Sequence, residues 1–130
     1  MKPFDEYFER VAQNSPKVLE EWAEEFNGVR IKFDGYGLAG YVGRNFLSSI
    51  TLEDVLRIPY YFDTKGIHIT ETVTIIRCNN GEHYPEFGYA ITSDRRSCAA
   101  RTLGNQDRMR ALLSGIEEAF TIRKLQLLGI

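Results

Sequence analysis

Groups able to do chemistry are few in this chain of 130 residues. It holds two histidines, His68 and His83, and two cysteines, Cys78 and Cys98. His83 follows a turn, where an imidazole can serve as acid, base or ligand. His68 shares a face with threonines and reads as an ordinary surface side chain. Cys98 follows Arg95 and Arg96, and nearby cations lower a thiol's pKa; a buried, inert cysteine is the simpler reading. Glu71 interrupts an apolar face, so it must be hydrogen-bonded, neutralised or near the end of a sheet. No C-x-x-C or H-E-x-x-H spacing occurs, and neither a metal nor a cofactor is expected. A small enzyme built on His83, Glu71 and Cys98 is therefore the weakest of three function classes.

Arginines form a second constellation. Arg95, Arg96 and Arg101, followed by Arg108 and Arg110, offer planar donors that suit phosphates and carboxylates. Tyr60, Tyr61 and Tyr84 could supply stacking surfaces for bases. Against binding of nucleic acid or a phosphorylated ligand stands the net charge of −2, since nucleic-acid domains are usually basic. The charge is unevenly spread, with a net of −4 over residues 1–27 and +4 over residues 95–130. Such a division points to a partner surface.

The third constellation is FDGYGLAGYVGRNF, in which Gly35, Gly37, Gly40 and Val42 spell G-x-G-x-x-G-x-V. A dinucleotide loop needs a helix directly after its glycines. The sequence continues with Tyr41, Val42 and Phe46, which favour a strand. A kinase-type loop needs a strand lysine, an HRD loop and a DFG motif, and all are missing. The expected structure is a β-hairpin without a nucleotide.

These residues must be positioned by one domain spanning 1–130, long enough to bury a core. The composition, 43% hydrophobic and 26% charged, is that of a folded chain. No apolar run has the length of a membrane span. The segment MKPFDEYFERV is acidic and does not read as a secretory signal. With two cysteines the default is a reduced, cytoplasmic setting.

Spacing predicts a helical hairpin over the first 28 residues, with Ser15 and Pro16 starting the second helix and Gly28 ending it. Glu20, Glu21, Glu24 and Glu25 read as its solvated face. Val29, Ile31 and Phe33 alternate as a strand. Thr51 caps a short helix that Pro59 should stop, and Tyr60–Phe62 reads as a short strand. Residues 66–92 are a hairpin whose register follows from its faces. A three-residue turn with Gly81 left-handed pairs Val73 with Phe87 and Ile69 with Ile91, whereas a two-residue turn would put threonines against aromatics. That register sets Glu71 opposite Tyr89. Pro85 argues for an edge or bulged strand. Ser97–Leu103 is a last strand, and Met109, Leu112, Leu113, Ile116, Phe120 and Leu127 make one stripe of a final helix.

The expected fold is α+β: an N-terminal helical hairpin, a mainly antiparallel sheet of five or six strands, and a C-terminal amphipathic helix packed on the sheet. The leading function class is a non-enzymatic protein-binding module, an inhibitor or adaptor. Arg95, Arg96, Arg101, Tyr60, Tyr61 and His83 are its candidate contacts. Ile122, Leu125 and Leu128 fall off the main stripe of the last helix and define an expected homodimer patch.

Overall fold

The computed structural model describes residues 4–33, 40–94, 99–102 and 104–129. Helices α1 (Asp5–Asn14) and α2 (Pro16–Asn27) form the expected hairpin, with Pro16 in the first turn of α2. Gly28 closes α2 at φ 65°, and its N–H and that of Val29 return to the carbonyls of Glu24 and Ala23. This left-handed cap is available to glycine at no steric cost.

Three segments expected in the sheet are not strands, so the sheet of five or six strands is replaced by one of three. Residues 29–33 are irregular. Ile31 and Phe33 do point inward, but the Phe33 N–H donates to Glu20 Oε1 at 2.8 Å and not to a neighbouring strand. Alternation there reports an extended segment with one buried face. The glycine pattern gives way to helix α3 (Gly40–Ser49), which overturns the hairpin reading. Local strand preference yields to packing: Phe46 and Leu47 are buried, and the Phe46 ring meets Trp22 edge-on at 5.9 Å. Gly35 and Gly37 lie outside the described residues. A helix thus does follow the glycines, but residues 29–33 are not the paired strand that a dinucleotide fold supplies.

The third lost strand is Tyr60–Phe62, which belongs to α4 (Leu52–Thr64). Thr51 and Asp54 form a reciprocal capping box, with Asp54 N–H to Thr51 Oγ1 at 3.2 Å and Thr51 N–H to Asp54 Oδ2 at 2.9 Å. The helix runs through Pro59 because Val55, Ile58, Tyr61 and Phe62 are fully buried on one face. Burying four such side chains, at about 1.5–3 kcal/mol each, outweighs an interior proline's cost of about 3 kcal/mol.

The sheet is antiparallel in the order β1 (Ile67–Arg77), β2 (His83–Ser93), β3 (Ala99–Arg101). Val73 pairs with Phe87, Ile69 with Ile91 and Glu71 with Tyr89, and Gly81 has φ 85°, as the face argument requires. β2 is central rather than an edge. Pro85 is tolerated there because β3 pairs only with Ala90, Ile91 and Thr92, leaving Pro85 past the last partner on that side.

Helix α5 (Arg108–Leu127), capped by Asp107, lies against β1 and β2 and also against α1, α2 and α4. Gly115 allows the close approach: a Cβ there would stand 2.9 Å from Tyr89 Cβ. Covered on two sides, α5 buries Ala111, Leu112, Ile116, Ala119, Phe120 and Ile122. Ile122 is only 6% exposed, so the homodimer patch drawn through Ile122, Leu125 and Leu128 is not a surface patch. Leu125 is half-buried, and Leu127 and Leu128 remain in water.

Candidate functional site

The most organised polar cluster joins residues far apart in sequence. Glu21, on the flank of α2, accepts the Tyr61 hydroxyl from α4 and two bonds from Arg123 of α5: Nε to Oε1 at 2.9 Å and Nη2 to Oε2 at 3.0 Å. Lys65 Nζ lies 3.7 Å from the same carboxylate and 2.8 Å from Glu25. Burial and the carboxylate push the Tyr61 phenol upward. Burial opposes ionisation of Glu21, but the bonds from Arg123 and Tyr61 prevail and hold its pKa down. At neutral pH the cluster is thus an anion, a cation and a neutral phenol with no proton poised to move. It fastens α2, α4 and α5 together. Tyr61 is fully buried, so its ring cannot serve as a stacking surface, and Glu21, bonded to Tyr61 and Arg123, is not part of a solvated face.

A second cluster repeats the pattern at the sheet. Tyr89 Oη donates to Glu71 Oε2 at 2.8 Å, and Arg108 Nε donates to the same oxygen at 3.0 Å. Burial and Glu71 push Tyr89 up to about 12, while the Tyr89 hydroxyl and Arg108 keep Glu71 low. Glu71 is therefore a stable carboxylate and not an acid waiting to donate.

At the surface, His68 sits between two carboxylates, Nδ1 at 3.0 Å from Asp63 Oδ1 and Nε2 at 3.0 Å from Asp94 Oδ1. Both nitrogens face acceptors, an arrangement that only the doubly protonated ring satisfies. Its pKa is raised by these two bonds.

The other candidates are dispersed. His83 is exposed at the far end of the hairpin, opposite Arg77. Arg95, Arg96 and Cys98 lie outside the described residues. Arg101 lines a groove of about 340 Å³ on the outer sheet face, with Thr72, Thr74, Gly88 and Thr102. Arg108 is on the opposite face, against Glu71 and the Phe87 ring. One phosphate cannot reach both. Among the described residues no group of histidine, cysteine and acidic side chains is arranged to hold a metal, and no helix is long and apolar enough to cross a membrane.

The division of charge between the two ends is partly used inside the fold, where Arg123 meets Glu21. What remains unexplained is apolar. Among the described residues the exposed large hydrophobic side chains fall into three groups: Leu52, Leu56 and Tyr60 on α4, Val73 and Ile75 on β1, and Leu127 and Leu128 at the end of α5. Tyr60 is one of the candidate contacts named from the sequence, and it is exposed; Leu52 and Leu56 share its helix only because α4 continues through Pro59. The chain matches no protein-family model, no curated protein and no solved structure.

Proposed function

We propose that this protein is a binding module without catalytic chemistry, an inhibitor or adaptor in the cytoplasm, that engages a protein partner through the outer face of α4. The observation that carries this reading is the line Leu52, Leu56, Tyr60, exposed by 48%, 51% and 66%. Spacing of four residues sets them within about 80° of one another on the helix surface. Their direction is roughly opposite to the buried stripe of Val55, Ile58 and Tyr61. A helix apolar on two faces needs a second cover, and anchors at i, i+4 and i+8 fit an apolar groove on another protein. Glu53, Arg57 and Asp63 border the line and supply a polar rim. Tyrosine is enriched among the residues that dominate such interfaces.

A photoreactive amino acid at position 56 tests this reading in native cells, with position 9 on α1 as the control. The expected result is an adduct with one other polypeptide from position 56 alone, lost when Tyr60→Ser is added. No adduct, or one indifferent to Tyr60→Ser, overturns the assignment to α4.

A further inference from the structure

We infer that β1 pairs edge to edge with β1 of a second copy of this chain, making a continuous six-stranded sheet with a twofold axis at Thr74. This surface is separate from α4, and the inference does not depend on the role given to that helix.

Phe87 exchanges two hydrogen bonds with Asn105, N–H to O at 2.7 Å and the reverse at 2.9 Å. Its peptide groups therefore face away from β1. Val73, opposite Phe87, must then turn its own N–H and C=O to the outer edge, and so must Ile69, Glu71, Ile75 and Arg77. Among the described residues none bonds to those groups.

Natural edges are blunted by proline, bulges, covering segments or unpaired charged side chains, lysine above all. Residues 69–77 read ITETVTIIR, with no proline and no lysine, and the pairing with β2 runs unbroken from Ile67 to Arg77. The distal half of the hairpin extends past the start of α5, and there Val73 and Ile75 are more than half exposed.

Self-complementarity then selects the second copy as the occupant, and it selects the register. With the axis at Thr74, Val73 of each copy opposes Ile75 of the other, and Glu71 of each opposes Arg77 of the other. The two bare apolar side chains cover one another and two ion pairs flank them. With the axis at Thr72 or Val73, Glu71 faces an apolar residue. With the axis at Glu71, like charges meet. The Thr74 register also confines the overlap to the distal halves of the arms, so the two helical bodies lie at opposite ends.

Even-numbered residues of β1 bond inward to β2, so Thr74 would meet its own copy as a non-hydrogen-bonded pair. The Cα atoms would be about 4.5 Å apart, within disulfide reach. The test uses Cys78→Ser with Cys98→Ser as background. Thr74→Cys should oxidise to a covalent dimer, and Thr72→Cys, which opposes Ile76, should not. Without cross-linking, light scattering should give about twice the 14.9 kDa chain mass. Val73→Lys or Arg77→Glu should return the monomer while the circular dichroism spectrum stays unchanged. A monomer throughout the micromolar range, or a dimer indifferent to Val73→Lys, overturns the interface. Cross-linking through Thr72→Cys instead overturns the register.

Discussion

Glu21 and Glu71 each hold one tyrosine hydroxyl and one arginine, with Lys65 added beside Glu21, yet they do different work. Arg123, which holds Glu21 in a two-pronged grip, keeps 14% of its side-chain surface in water; Arg108, which holds Glu71 by one bond, keeps 67%. The first cluster ties three helices together and is largely removed from solvent. The second lies at the margin of the sheet, where water competes for every bond. Chemical identity is thus a poor guide to strength, because desolvation sets both what an ion pair contributes and what losing one partner costs.

The largest expected effect follows from breaking the inner cluster. Glu21→Ala leaves the largely buried Arg123 without its anion and should cost about 3 kcal/mol. In thermal melts that is a Tm lower by roughly 10 °C. Glu71→Ala should cost about 1 kcal/mol or less, since Arg108 turns to water. Replacing both inner ions, Glu21→Leu with Arg123→Met, should restore most of the loss, because no charge is then stranded. Equal costs for the two single substitutions would remove the distinction between the clusters.

The tyrosines sharpen the comparison at a smaller scale. Tyr61→Phe and Tyr89→Phe each delete one hydroxyl and keep the ring. The loss should be about 1.5 kcal/mol for Tyr61, whose acceptor is gripped by an arginine largely out of water, and near 0.5 kcal/mol for Tyr89, whose acceptor shares a solvated arginine. Urea denaturation midpoints on the two variants read the difference directly. A larger loss for Tyr89 would mean that the sheet margin is drier than its arginine's exposure implies.

These two clusters were not equally legible in the sequence. Glu71 was, because strand alternation fixes faces, turn geometry fixes register, and the two together put an acid opposite Tyr89. Glu21 was not. It sits among four glutamates on one helix, and its partners are 40 and 102 positions away, with no local signal for either. One signal did exist. Ile122 and Leu125 fall off the main stripe of α5, which is what a helix covered on two sides requires; a contact patch at that position does not fit the burial of Ile122. The sheet was overcounted for a related reason. Val29-Ile31-Phe33 and Tyr41-Val42 carry strand preferences, but strand pairing is a long-range event that preference alone cannot supply.

His68 extends the comparison to the surface and should give the smallest effect. Its two carboxylate partners hold the proton more tightly in the folded protein than in the unfolded chain. The added stability is therefore complete below the unfolded pKa of about 6.5 and fades as pH rises through the higher folded value. The two glutamates run the other way: their lowered pKa values contribute above the unfolded carboxylate range and are lost as acid titrates them. Salt should weaken the His68 contribution most, since all three side chains face solvent. A proton NMR titration should place the His68 midpoint above 6.5 at low ionic strength, falling on Asp63→Asn and further with Asp94→Asn added. The melting temperature of His68→Gln should approach that of the parent as pH rises above that midpoint. A midpoint at or below 6.5 would mean that the ring does not hold both carboxylates at once, and that α4, β1 and β2 meet at Asp63 and Asp94 without this clasp.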